Sequence, residues 1–532
     1  MSSMSYNAAS GIGGMLKDGH KHWDDAVVRN IDAAVELSRM VQTSLGPFGR
    51  HKLLVNHLEQ MSVTSDCATI LKELEVEHPA AKLLAMASHK QKDECGDATN
   101  LVVLFAGELL RSTSKLMQMG LHVSEVLAGY QLAAKALWIE LPKCVTEHVA
   151  TTDEAQLIRL VAPVLAAKQY GSHLQLAPLV VKAGMLVRHK ETGTISPDAV
   201  RTVKVLGGSV TSSQLVAGYV AQRPVETQVA SATNAKIAVF ACGMEASSTE
   251  AKGTVLMKTA EDLKNYNATE ELKMEEIIAA IAASGVTVLV TGGSVSEMAM
   301  HFINRYKLML LKLGSKWELR RLCQAVGATA LVRLGPPTPD EMGFCESIQP
   351  LVLGNRTLTV FSAKETKLAT LILRASTNSL LQDVERAVDD GIHALQQASR
   401  GGDGGKCVPG AGATEFALSQ RIAKLADVSP GLDQYAIRAF AQALTVVPRT
   451  LAETAGWNGT KTLADMSAAA AAASDDTVFV GIDLEEGKVG PTDVLDLLVT
   501  KTSAFQLALD AALTVLKVDQ IIMSKRAGGP KQ

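Results

Sequence analysis

Aromatic residues are scarce in this sequence, at 4% of 532 positions. With Ala and Leu abundant, that scarcity favours helix-rich packing over an all-β architecture. The seven cysteines (67, 95, 144, 242, 323, 345 and 407) include no Cys-x-x-Cys pair, and no histidine spacing completes a zinc site. An odd number of cysteines without a framework fits a reducing compartment, with each expected to be a small buried or half-buried side chain. No uninterrupted apolar run reaches about 18 residues, so no membrane span is expected. Polar residues 1–10 carry no basic region followed by an apolar stretch, so no signal peptide is expected and the location read is cytoplasmic. The net charge is −3 and Lys and Arg are scattered, which leaves nucleic-acid binding without a basic stripe. No Gly-x-x-x-x-Gly-Lys-Ser/Thr occurs, which excludes a P-loop enzyme.

What is present is a large apolar content, 47% hydrophobic against 20% charged, enough for two to four domains with sizeable cores. Apolar spacing near 3.6 predicts a helix over 24–45, stopped at Gly46-Pro47 by the fixed φ and missing donor of proline. Two β-like runs at 52–55 and 60–64 predict a hairpin. Helices are expected over 66–74, 79–91, about 101–116 and 121–145, and a Gly-rich β-like segment over 200–220. Residues 212–365 alternate short strands (236–240, 286–290, 308–311) with helices (269–283, 295–306, 316–326), an α/β pattern with its own sheet. Residues 249–275 read as an exposed excursion from that sheet or as an ordinary solvated helix pair. Long helices return at 376–398, 412–425, 432–446 and 502–516, and the Ala-rich stretch 468–473 also reads as helix. The run 518–523 reads as a strand that needs a partner, such as the hairpin at 52–64 of this chain or of a neighbour.

Five segments could carry chemistry. Thr43-Ser44-Leu45-Gly46-Pro47 ends a helix at a glycine that permits close approach of a ligand, or simply stops the helix. In Ser65-Asp66-Cys67-Ala68-Thr69, Asp66 is placed to cap a helix or to face a water or metal. Glu94-Cys95-Gly96-Asp97-Ala98-Thr99-Asn100 opens an apolar helix, where free N–H groups suit an anion. Asp97 there is either part of a capped helix or a Mg²⁺ ligand, because a carboxylate beside a phosphate needs a cation between them. Asp389-Asp390 lie adjacent within a helix, where one would serve as a base if it met a water. Val408-Pro409-Gly410-Ala411-Gly412-Ala413-Thr414-Glu415 opens another helix with small residues.

Taken in order, these segments and their neighbours resemble one family along nearly the whole chain. TSLGPFG, SDCATIL, GDATN followed by LVVLFAGELL, KQYG, GTVLMKTAE, SKWELRRLCQAVGATAL, ERAVDDG, VPGAGATE and VDQIIMSK are similar to the group II chaperonins. HPAAKLLAMASHKQ, KQYG, QYAIRAF and VDQIIMSKRAGGPK resemble one subunit type of the eukaryotic cytosolic chaperonin in particular. The resemblance implies an ATPase that uses ATP/ADP and Mg²⁺ to drive protein folding. It implies a multidomain α and α/β fold: a mostly helical equatorial domain (1–147 with 404–532), a small intermediate domain (148–213 with 367–403) and an α/β apical domain (214–366). The lid protrusion would fall at about 249–275, and the apical helix with Lys316, Arg320 and Arg321 would face substrate.

By the same resemblance, Leu45, Gly46 and Pro47 would lie along the nucleotide and Asp97 would hold Mg²⁺. Ala98, Thr99, Asn100 and Leu101 would cradle the phosphates. Asp390 would be the general base for the attacking water, with Asp66 a second carboxylate near it. Lys168, following Ala167, would sense the γ-phosphate. Gly410, Ala411 and Gly412 would border the ribose, Asp496 would contact the sugar and Gly481-Ile482-Asp483 would sit near the base. The implied partners are seven paralogous subunits in a double ring of eight each, with unfolded clients such as actin and tubulin, and neither nucleic acid nor membrane.

Three positions depart from the family pattern. Ala98 stands where the usual Gly-Asp-Gly-Thr-Thr has its second glycine, Ser65-Asp66-Cys67 replaces Asn-Asp-Gly, and Gly410-Ala411-Gly412 replaces three glycines. If position 98 needs φ > 0, Ala98 is strained by roughly 1 kcal/mol or more. Slower hydrolysis than in other subunits is then expected. The alternative is an ATP/ADP-binding structural ring subunit with little or no turnover. A metabolic kinase or synthetase would need a second small-molecule motif, which is absent.

Overall fold

The computed structural model describes residues 23–55, 59, 61–245, 259–363, 368–401, 405–472 and 479–521. The chain divides into two compact units, residues 1–173 with 397–532 and residues 174–396.

The first unit is built around one helix, Thr99–Gln118, which is apolar on nearly every side. Its residues 101–106, with Leu109 and Leu110, are all buried, the pattern of a helix enclosed by others rather than one lying on a surface. Helices Trp23–Gln42, Pro79–Cys95, Asp433–Leu444 and Leu498–Lys517 pack around it. Gly107 admits the first of these, since a Cβ there would stand 2.3 Å from Ser38 Cβ. Phe105 meets Phe440 and Phe505 edge-on at 5.4 and 5.5 Å. Such a fully buried ring stabilises the fold by about 2–3 kcal/mol.

The hairpin expected at 52–64 forms from strands Lys52–Val55 and Met61–Thr64, with Leu53, Val55 and Met61 exposed. A three-stranded antiparallel sheet joins Glu147–His148, Lys406–Pro409 and Leu495–Leu497. The helix expected over 121–145 is Val123–Glu140, followed by a 3₁₀ turn at Leu141–Cys144 where Pro142 removes a donor. Residues 518–521 form no strand, and the rest of the expected run 518–523 lies outside the described residues.

Two helices, Glu154–Gln169 and His173–Val187, occupy a stretch to which the sequence reading assigns no helix or strand. The first begins at Asp153, whose Oδ1 accepts from Ala155 N–H at 3.0 Å, and it buries Leu157, Leu160, Val161, Val164 and Leu165 on one stripe. Each helix contains a proline, Pro163 or Pro178, which blurs the periodicity.

The second unit holds a nine-stranded mixed sheet. Ala232–Phe240, Val288–Thr291 and Met309–Lys312 run parallel, and Val288–Thr291 is wholly buried, as parallel strands covered on both faces are. Helices Ala260–Ala283, Glu297–Arg305 and Lys316–Val326 alternate with them, as the α/β pattern predicts. Part of the expected excursion, 249–258, lies outside the described residues; 260–275 falls on helix Ala260–Ala283. Val200–Leu206 lies parallel to Ala369–Ala375, so the chain entering this unit and the chain returning through it share one ladder. All seven cysteines are free, five buried and two half-buried.

Candidate nucleotide site

The residues assigned to the nucleotide by sequence are, apart from Asp390, in the first unit, where short contacts link their loops in a closed circuit. Helix Trp23–Gln42 ends in a tight turn, with Gly49 N–H donating to Gly46 O at 2.9 Å and Arg50 N–H to Thr43 O at 2.7 Å. Gly46 has φ +80°, and a Cβ on it would stand 2.5 Å from Leu451 Cδ2. Leu451 belongs to helix Val446–Thr454, whose Pro448 presses equally on Gly412: a Cβ there would come within 2.9 Å of Pro448 Cβ. Ala411 O accepts from Ile482 N–H at 3.2 Å, bringing in strand Val480–Asp483. Asp483 Oδ1 accepts from Glu485 and Glu486 N–H at 2.9 and 3.0 Å, shaping the next turn. Tyr170 O–H reaches Glu485 Oε1 at 3.5 Å, and the Tyr170 ring packs on Phe48 at 5.0 Å. Phe48 returns the circuit to the Gly46 turn.

The loop at 96–101 joins this circuit through Asn100, whose Nδ2 donates to Ser44 O at 3.1 Å. Ala98 has φ +63° and ψ +22°, the left-handed conformation that glycine adopts freely, and supplies no side-chain cap to helix Thr99–Gln118. The condition set for strain at Ala98 is therefore met. Asp97 is half-buried, and its carbonyl accepts from Gln91 Nε2 at 3.0 Å. Gln91 also donates to Thr500 O at 3.2 Å and accepts from Ser503 Oγ at 2.8 Å, which ties the loop to helix Leu498–Lys517.

Two charged clusters flank the loops. Asp66 is 1% exposed. It caps helix Cys67–Glu73 through Thr69 and pairs with Lys168 Nζ at 2.8 Å and Lys92 Nζ at 3.6 Å. Burial alone would raise its pKa, but Lys168 and then Lys92 outweigh that and hold the carboxyl well below the ordinary range. Burial pushes the adjacent Cys67 thiol up to about 12, so it stays protonated at neutral pH. On the other side, buried Lys501 bridges Glu415 and Asp496, the latter at 2.9 Å. Burial disfavours its charge, yet Asp496 and Glu415 together raise its pKa. Gly410 leaves room for this cluster, since a Cβ there would lie 3.0 Å from Asp496 Oδ2.

Asp390 lies in the second unit on helix Asn378–Ser399 and is fully buried, whereas Asp389 is half-buried. Burial thus separates a pair that sequence alone could not. Sequence reasoning missed Gln91, Lys92, Phe48, Tyr170 and Lys501. Most of their partners are distant along the chain, and no spacing announces them.

The described residues contain no group of three or more His, Cys, Asp or Glu able to hold a metal ion by themselves. Asp97, a half-buried carboxylate at a helix opening, instead fits an ion that takes one or two carboxylates and completes its shell with phosphate and water, as Mg²⁺ does.

Comparison with known proteins agrees with the fold. The TCP-1/cpn60 chaperonin family model matches residues 37–526. T-complex protein 1 subunit theta of Arabidopsis thaliana is 44% identical over 98% of this chain and 96% of its own length. The proteins of the same name from Homo sapiens and Dictyostelium discoideum are 43% and 41% identical over 98% of this chain, covering 96% and 98% of theirs. A helical unit interrupted by an α/β unit, matched nearly end to end at this identity, leaves one conclusion: this chain belongs to the TCP-1/cpn60 chaperonin family.

Proposed function

We propose that this chain is a subunit of a hetero-oligomeric double-ring chaperonin that binds and hydrolyses ATP to fold cytosolic proteins. The observation that carries the nucleotide assignment is the closed circuit that gathers the loops at Gly46, Ala98–Asn100, Ala411–Gly412 and Ile482–Asp483 together with the N-terminal opening of an apolar helix. The relatives' name, T-complex protein 1 subunit theta, supports the assembly. A double ring of eight, seven paralogous partners, clients such as actin and tubulin, and a cytoplasmic location follow from the resemblance. So does the division into equatorial (1–147, 404–532), intermediate (148–213, 367–403) and apical (214–366) domains.

In this reading Leu45, Gly46 and Pro47 lie along the nucleotide, and Thr99, Asn100 and Leu101 offer the opening of an apolar helix to its phosphates. Bound Mg²⁺ would offset phosphate charge, and Asp97 would hold it. Lys168, after Ala167, meets the terminal phosphate. By the resemblance, Asp390 takes the proton of the attacking water and Asp66 is the second carboxylate. Gly410, Ala411 and Gly412 border the sugar, which Asp496 contacts, and Asp483 holds the turn near the base. These are the roles phosphoryl transfer requires: positioning, charge neutralisation and an oriented water.

Nucleotide binding and phosphate release by the full-length chain test this. Asp97→Ala should abolish Mg²⁺-dependent binding, and Asp390→Ala should keep binding but lose turnover. Absence of nucleotide binding by the unaltered chain at millimolar ATP would refute the reading. The left-handed Ala98 favours a second reading, a structural subunit that keeps nucleotide with little turnover. A site that stays ADP-loaded when ATP is supplied would select it.

A further inference from the structure

Asp66 has two cationic partners where one would satisfy it. Its Oδ1 takes Lys168 at 2.8 Å, while Oδ2 takes Thr69 Oγ1 at 2.7 Å and Lys92 at 3.6 Å. The side chains of Lys168 and Lys92 are 10% and 24% exposed, against 1% for Asp66. Lys168 closes helix Glu154–Gln169. Lys92 occupies the last turn of helix Pro79–Cys95, and its carbonyl accepts from Gly96 N–H at 3.0 Å, the first residue of the proposed phosphate loop.

If Lys168 turns to a terminal phosphate, it leaves a carboxylate that water barely reaches. An unpaired buried charge is costly enough to hold the lysine back. Lys92 is close enough to close on Asp66 with a shift of under about 1 Å, since charge-assisted contacts settle at roughly 2.8 Å. We propose that Lys92 is the standby counter-ion of Asp66, taking over the carboxylate when Lys168 engages the terminal phosphate of a bound nucleoside triphosphate. Lys92 is then a positioning residue: it acts on Lys168 through Asp66 and sets how strongly the site prefers triphosphate over diphosphate. The proposal rests on the assignment of Lys168 to the terminal phosphate.

The test uses the full-length chain in the assembly with which it purifies. Photoreactive ADP and a photoreactive non-hydrolysable ATP analogue are titrated, and labelling of this chain is quantified. Lys92→Met should weaken the triphosphate about tenfold and change ADP by less than about twofold, a coupling of ordinary allosteric size. Lys92→Arg should restore the preference. Asp66→Asn added to Lys92→Met should also restore it, because no buried charge then retains Lys168. Thermal midpoints without nucleotide identify any variant that has lost its fold, and Lys92→Gln then replaces Lys92→Met. Equal weakening of both nucleotides, or no weakening, overturns the exchange. Lys168→Met separates the two levels: it should erase the triphosphate preference with ADP binding kept. An unchanged preference in Lys168→Met overturns the phosphate assignment itself, whereas an effect of Lys168→Met without one of Lys92→Met overturns only the role of Lys92.

Discussion

Two helix openings in the first unit solve the same problem with different means. At Gly96-Asp97-Ala98-Thr99 and at Gly410-Ala411-Gly412-Ala413 the chain turns through left-handed residues into a buried helix. The first sets Ala98 at φ +63° in the capping position, and the second sets Ala411 at +52° and Gly412 at +77° in succession. Around Gly412 the Pro448 backbone and ring leave no space for a Cβ, so only glycine fits. Ala98 carries its Cβ, and what it bears is conformational strain alone. The anchoring differs as well. A neutral amide, Gln91, holds the first opening, while buried Glu415 and Lys501 with half-buried Asp496 hold the second. A left-handed turn therefore demands glycine only where a neighbour presses on it, and the more crowded opening is also the one secured by charge.

The comparison can be broken at three points. Lys501→Met should have the largest effect, because it leaves Glu415 and Asp496 without their buried counter-ion. A loss of about 3–5 kcal/mol in chemical denaturation is expected, and a loss under about 1 kcal/mol would mean that charge does not secure this opening. Gly412→Ala should cost about 2–3 kcal/mol from left-handed strain and collision with Pro448 together, read as a lowered thermal midpoint. Equal tolerance of alanine at 412 and at 98 would erase the distinction. Ala98→Gly should change stability by no more than about 1 kcal/mol, since relieved strain is offset by the extra freedom of glycine in the unfolded chain. Its value lies in turnover: a faster single-turnover hydrolysis would tie the strain to slow chemistry, and an unchanged rate would detach it.

Much of this was legible in sequence because the signals were local. Helix Thr99–Gln118 announces itself by its apolar run, the hairpin by two short β-rich runs, and the parallel sheet by alternation of strand and helix. The site loops were legible only collectively, through resemblance. Single motifs read equally well as helix stops and caps, and Asp66 does serve as a helix cap while Asp483 shapes a local turn. What stayed hidden depends on contacts across the chain. Nothing near Lys92 indicates Asp66, and nothing near Glu415 indicates Lys501, 86 positions away. The φ of Ala98 is a property of the turn rather than of the residue type. The helices at 154–187 were obscured by their internal prolines, whose cost is outweighed once the apolar stripe is buried.

The small sheet of Glu147–His148, Lys406–Pro409 and Leu495–Leu497 has a consequence for how the protein is made. Its strands come from three widely separated parts of the message. As the ribosome works, the stretch around 147 must wait for more than two hundred residues before its first partner emerges, a delay of about ten seconds or longer at ordinary elongation rates. During that interval the second unit, contiguous from 174 to 396, can gather its own core. The first unit meanwhile holds its apolar helix at 99–118 without Asp433–Leu444 and Leu498–Lys517, two of the helices that pack around it. For a member of a chaperonin family, the nascent chain thus passes through the aggregation-prone stage from which chaperonins rescue others.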